Sequence, residues 1–227
     1  MGNLQKRLNR TVLLKGVQDL TQKDVDLARI ASLYGPPPLW EREEGFHTLI
    51  HIILEQQVSL ASAKAAYKKL ANAVARISPK SFIKLSDGHL KRIGFSRQKT
   101  RYGRELAHAV TGGVLNLAEL GKLSDQEARK QLVQVTGIGS WTADIYLVMA
   151  LGRPDVWPDG DLALAAAIRQ VKGLSQRPST RQMRRISRQW RPWRAVAARL
   201  LWHFYLREKR PLSVNTPPAT TIFSFFS

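Results

Sequence analysis

Apolar residues recur along this chain at the spacing of helices. Phe46, Leu49, Ile50, Ile53 and Leu54 follow i, i+3, i+4, i+7, i+8, which lines them along one helix face. After a break near Ser59, Ala61, Ala65, Leu70 and Val74 continue a second amphipathic pattern. Leu162-Ala-Leu-Ala-Ala-Ala-Ile168 opens another helix, rich in the best helix former. No stretch shows the alternating, β-branched pattern of a strand. The pattern predicts an all-α fold. Pro36-Pro-Pro38 reads as a stiff, extended linker, with the helices proper after it. Residues 1 to 20 are basic and weakly patterned, and are expected to form a frayed arm. Pro211 to Thr221 is rich in Pro, Thr and Ser and is expected to be disordered. It leads to an apolar tip, Ile222-Phe-Ser-Phe-Phe226, that would dock on the body or on a partner. No internal repeat is visible.

At 227 residues the chain makes one domain or two small ones, enough for a real core. Charge changes the picture more. There are 36 Lys and Arg against 17 Asp and Glu, a net +19. That excess implies a polyanionic partner, a nucleic acid or an anionic membrane surface. The cations are unevenly placed. Thirteen Lys and Arg lie between Arg169 and Arg210 with one acid, Glu208. Seven lie between Lys84 and Arg104 against Asp87, whereas residues 105 to 168 hold more acid than base. Two basic edges are expected to flank a site. A solvated helix face is the bland reading of such runs. No run of about 18 apolar residues exists to span a bilayer. The first residues lack both the apolar core of a signal peptide and the Ser or Thr of a myristoylation motif. The chain is expected to be intracellular and soluble. It has no cysteine, so disulfides, thiolate zinc sites, cysteine nucleophiles and cysteine-ligated iron–sulfur clusters are excluded.

The candidate chemistry sits in two nearby stretches. Leu132-Val-Gln-Val-Thr-Gly137-Ile-Gly139-Ser-Trp141-Thr-Ala143 reads as a helix, a tight glycine turn and a second helix. Glycine lets a backbone approach another chain closely. A helix start offers free N–H groups and a dipole that favour an anion. For a chain this basic, the anion is a nucleic-acid phosphate. Pro158-Asp-Gly-Asp161 follows about twenty residues on. Asp161 immediately precedes an alanine-rich helix, so it reads both as an ordinary N-cap and as a candidate catalytic carboxylate. Asp159 is the alternative carboxylate. Asp155 and Asp144 read as loop and helix-surface residues. The five histidines are scattered and form no metal-ligand cluster, so no catalytic metal is expected.

The ordered set of hairpin and Pro-Asp-Gly-Asp resembles the helix–hairpin–helix (HhH-GPD) DNA glycosylases. Within that superfamily it is similar to the 3-methyladenine DNA glycosylase II type, over roughly residues 45 to 208. The resemblance implies a two-lobed helical fold with the DNA cleft between the lobes. An arm and linker would occupy residues 1–44, the core 45–210 and a tail 211–227. Helices from about 60 to 150 would form the lobe with the hairpin, and the flanking helices the other. Some forty residues precede Phe46, so the N-terminal β domain of the larger alkylated-base enzymes is expected to be missing.

The same resemblance assigns residues. Gly137, Ile138, Gly139, Ser140 and Thr142 would grip DNA, and Asp161 would be the catalytic aspartate. Lyase members carry a lysine at the hairpin position that holds Trp141 here. The resemblance therefore implies a monofunctional enzyme that leaves an abasic site. Trp141 would line the base pocket with Trp202, Gln56 and Gln57. Core packing and helix-end capping are the bland readings of these side chains, and core packing is preferred for Trp190 and Trp193. Leu90-Lys-Arg-Ile-Gly94-Phe-Ser-Arg97-Gln-Lys99 resembles the wedge loop that fills the gap left by an extruded base. Arg97, then Gln98, are the candidate plugs. Relatives often carry an apolar residue there, and simple phosphate contact by Arg97 and Lys99 is the competing reading. A monovalent cation on main-chain carbonyls of the hairpin is implied, and no iron–sulfur cluster. The implied substrate is duplex DNA carrying alkylated purines of the 3-methyladenine or 7-methylguanine type, and the implied state is a monomer with no membrane partner. Three alternatives stay open: a glycosylase for another lesion, a non-catalytic DNA-binding module and a basic RNA-associated protein.

Overall fold

A computed structural model describes residues 7–209, and the expectations for the first six residues and for the tail from 211 fall outside them. Among the described residues there are twelve α-helices and no strand, as the apolar spacing predicts. The chain divides into two compact units. One is the continuous stretch Arg42–Leu151, and the other joins the described residues up to Glu41 with those from Gly152 onward.

The continuous unit holds α3 (Phe46–Glu55), α4 (Leu60–Ala73), α5 (Pro79–Lys84), α6 (Asp87–Ile93), α7 (Arg97–Thr111), α8 (Asp125–Val133) and α9 (Ser140–Met149). The predicted α3 face is present, but α3 is buried almost all round. Thr48, His51 and Ile52 are inside along with Leu49, Ile50 and Ile53. It packs against α4, α7 and α9. Gly103 lets α7 sit close, since a Cβ there would lie 2.5 Å from the Phe82 ring. Serines cap most of these helices. Ser59, Ser78, Ser86, Ser96 and Ser124 each accept a backbone N–H from the first turn. The break near Ser59 is thus the start of α4.

The second unit holds α1 (Arg10–Lys23), α2 (Val25–Tyr34), α10 (Leu162–Val171), α11 (Thr180–Ser187) and α12 (Arg194–Glu208). Residues Ala195 to His203 of α12 are all buried, and α1, α2 and α10 pack around that helix. The frayed arm expected over residues 1 to 20 is instead largely α1. Leu13, Gly16, Val17 and Leu20 form its buried stripe. One of those four positions is glycine, which hides the stripe from a hydropathy pattern. A Cβ at Gly16 would come within 3.0 Å of Trp193 and Val196, so the small residue marks the closest approach.

Asp24 ends α1 and caps α2. Its carboxylate also accepts from Trp190 Nε1 at 2.8 Å, Lys172 Nζ at 3.0 Å and Gln189 Nε2 at 3.3 Å. Burial alone would raise its pKa. The bonds from Trp190 and Lys172 outweigh burial and hold it below 3.8. A carboxyl depressed in the folded state lends stability that is present above its unfolded value and is lost as pH falls through the folded one. Asp24→Ala is expected to lower the unfolding free energy by about 2–3 kcal/mol at pH 7, because it strands the buried Trp190 Nε1, removes the cap of α2 and breaks the pair with Lys172. In urea titrations the gap to wild type should narrow toward pH 3. An equal gap at both pH values would contradict the assignment.

Candidate active site and nucleic-acid interface

The hairpin is the link from α8 to α9. Ile138 is 3% exposed and its N–H donates to Val135 O at 3.0 Å, so this residue anchors the turn in the core. The two flanking glycines have different causes. Gly137 has φ +96, and a Cβ there would lie 2.2 Å from Tyr102 Cγ. The turn's own packing demands glycine. Gly139 has φ −83 and ψ 178, which any residue adopts, and a Cβ there meets nothing within 4 Å. Neither strain nor internal packing demands glycine there; it is the N-cap of α9, a position glycine fills well, and it leaves the backbone open to close approach. Gly139 and Ser140 are exposed, and no side chain caps the start of α9. The first N–H groups of α9 therefore carry no side-chain cap and add to the dipole at an exposed turn, an arrangement that can take a phosphate.

Thr142, expected at the DNA, is 2% exposed and turned inward. Its hydroxyl accepts from Gln56 Nε2 at 3.0 Å, and the same nitrogen donates to Gly137 O at 3.0 Å. Gln57 is exposed at φ +57, directly after α3. Lys99, expected at a phosphate, donates through Nζ to Leu54 O at 2.6 Å, at the end of α3. Burial pushes its pKa down. Arg97 and Gln98 are exposed in the first turn of α7, and Gln98 Nε2 donates to Tyr102 OH at 2.6 Å. Tyr102 was not singled out by sequence. Its position one turn after Gln98 was the available signal; its packing on Gly137 was not readable. Trp141 is half-buried at the start of α9. Asp144, read as a surface residue, is 1% exposed and accepts from Arg129 Nε at 2.6 Å. The preceding helix α8 packs against α9 and supplies this partner.

In the other unit Asp161 is the N-cap of α10 and is 7% exposed. Oδ1 accepts from Leu164 N at 2.8 Å and from Trp202 Nε1 at 3.2 Å. Trp202 is 6% exposed, so the indole is set against the carboxylate. Gly160, at φ +77, turns the chain just before it. Asp159 Oδ2 accepts from Arg184 Nε at 2.7 Å, which ties this loop to α11. On α11 and just beyond it, Arg181, Arg185 and Arg188 are exposed. Asp155 binds Arg194 through Nε at 2.9 Å. Trp190 is fully buried, in keeping with its core reading. A carboxylate fixed in this way can stabilise a developing positive charge and orient a water.

Among the described residues no group of three or more His, Asp or Glu could hold a metal ion. The hairpin offers main-chain carbonyls, neutral oxygens of the kind that suit a monovalent cation. Val135 O and Gly137 O each accept one hydrogen bond, from Ile138 N and Gln56, which leaves each a second lone pair. The group implied by the resemblance is compatible with them. No described helix is long and apolar enough to cross a membrane.

A glycine hairpin between two helices and a buried aspartate at a helix start are the features on which the resemblance to the base-excision proteins rests. The chain belongs to the HhH-GPD superfamily of base excision DNA repair proteins, whose family model matches residues 50–192. It is 28% identical over 199 residues to DNA-3-methyladenine glycosylase 1 of Schizosaccharomyces pombe, covering 85% of this chain and 87% of that protein. Two Bacillus subtilis relatives, each 27% identical, are matched over 58% and 56% of their own length. Among solved structures, S. pombe 3-methyladenine DNA glycosylase in complex with abasic DNA superimposes with a TM-score of 0.78 at 27% identity. That match covers 83% of this chain and 95% of the other.

Proposed function

We propose that this protein is a monofunctional DNA glycosylase that hydrolyses the N-glycosidic bond of alkylated purines in duplex DNA and leaves an abasic site. The observation that carries the reading is Asp161, 7% exposed and held by the Leu164 N–H and the Trp202 indole. Methylation at N3 or N7 makes the purine cationic. When the C1′–N bond breaks, its electron pair neutralises the departing base and leaves an oxocarbenium-like sugar. The Asp161 carboxylate stabilises that charge, and water adds to C1′ with loss of a proton. No metal enters these steps. An indole face such as that of Trp202 attracts a cationic base by about 0.5–2 kcal/mol.

Tryptophan at 141 supplies no amine for a Schiff base, which supports hydrolysis without strand cleavage. The open Gly139–Ser140 surface, Arg97 and the arginines of α11 would take phosphates, and a monovalent cation at the hairpin carbonyls would stiffen that grip. A substrate of cellular DNA supports an intracellular site of action. Incubation with methylated duplex is expected to release free 3-methyladenine or 7-methylguanine, identified by mass spectrometry, with the strand intact until alkali is added. Tight duplex binding with no base released would instead support another lesion or a non-catalytic DNA-binding module.

A further inference from the structure

We propose that Gln56 is a positioning residue for the DNA-binding hairpin, a clamp that fixes the turn's backbone, and not a lining of the base pocket. The inference rests on the hairpin's role in DNA binding. Gly137 O can only accept, so the nitrogen of the Gln56 amide must point into the turn, 3.0 Å from that carbonyl and 3.0 Å from Thr142 Oγ1. One NH2 group thereby joins the glycine turn to the first turn of α9. A peptide unit is planar, so its C=O and the following N–H move together. The Gly137–Ile138 peptide is held at both ends, its oxygen by Gln56 and its N–H by Val135 O. Gly137, on the N-terminal side of that peptide, has the freedom of a residue without a Cβ, and a rotation there would re-aim the N–H groups that follow.

The clamp is itself held. Gln56 is the C-cap of α3. The preceding Glu55 forms a two-bond pair with Arg42, at 2.6 and 3.1 Å, with the two side chains only 6% and 4% exposed. One residue earlier, Leu54 O accepts from Lys99 Nζ. Three consecutive residues thus bind the segment before α3, α7 and the hairpin. Gln57, at φ +57, turns the chain away immediately after.

Gln56→Met keeps the side-chain length without an amide, and Gln56→Glu keeps its shape but cannot donate. Each is tested for binding to an undamaged duplex by fluorescence anisotropy over a range of salt, with a thermal melt to check folding. Both variants are expected to melt cooperatively and to bind about tenfold more weakly, the scale of one hydrogen bond. The dependence of log affinity on log salt should be shallower by about one phosphate contact. Thr142→Val added to Gln56→Met should cost no further affinity, since both changes act through one clamp. Unchanged affinity and salt slope in the two Gln56 variants would overturn the proposal. A fall in base release at saturating DNA on top of that would return Gln56 to the pocket. Undamaged duplex undergoes no base release, so these results stand even if the wild type frees no base from methylated DNA.

Discussion

Asp161→Asn is expected to slow base release from methylated duplex by about a thousandfold or more, while undamaged-duplex affinity stays within about twofold of wild type. Asparagine is as good an N-cap as aspartate. Its carbonyl oxygen can still accept from Leu164 N and Trp202 Nε1, as the carboxylate does now. The substitution therefore removes a negative charge with little change in packing, and α10 should keep its start. Single-turnover release measured by mass spectrometry, beside anisotropy titrations and a melt, separates the outcomes. Release at the wild-type rate would mean that Asp161 is only a helix cap. Lost release together with lost folding would mean that the polar cluster at α10 depends on the charge itself.

The two hairpin glycines should lose duplex affinity for different reasons, one with a loss of stability and one without. Gly137→Ala puts a methyl 2.2 Å from Tyr102 Cγ on a backbone at φ +96. The strain and the clash together should destabilise the protein by about 3 kcal/mol or more, and duplex binding should fall with it. Gly139→Ala meets open space at φ −83 and only exchanges a good N-cap for a poorer one, so its stability should stay within about 1 kcal/mol of wild type. Its duplex affinity should nevertheless drop about tenfold, because the methyl stands where a phosphate would approach the backbone. Urea midpoints and anisotropy on undamaged duplex read both effects. A Gly139→Ala variant that binds as well as wild type would remove the hairpin surface from the DNA interface.

What was legible in advance was local. The segments of α3, α4 and α10 announce themselves by apolar spacing or alanine-rich composition. The hairpin and the Pro-Asp-Gly-Asp segment are contiguous, so their residue types and order carry the chemistry. α1 was missed because a glycine occupies one of its four buried positions, and because its outer face is basic enough to resemble a free arm. Asp144 was misjudged for a related reason. Its partner, Arg129, lies on the preceding helix, fifteen residues away, and nothing in the local pattern marks a carboxylate as paired.

The residues with roles split across the chain were the least readable. Gln56 lies 81 residues from the carbonyl it holds, Asp24 lies 166 from the indole that binds it, and Trp202 lies 41 from Asp161. By itself the sequence determined an all-helical chain, a strongly cationic one, a phosphate-type glycine hairpin and a carboxylate at a helix start. Only the tertiary structure decided which glycine serves packing and which stands open, which side chains reach outward and which are spent holding the backbone. Helix periodicity, capping and turn chemistry act over a few residues and leave a pattern in the sequence. Hydrogen bonds between distant segments depend on how helices pack, and that is set by the shapes of many side chains together.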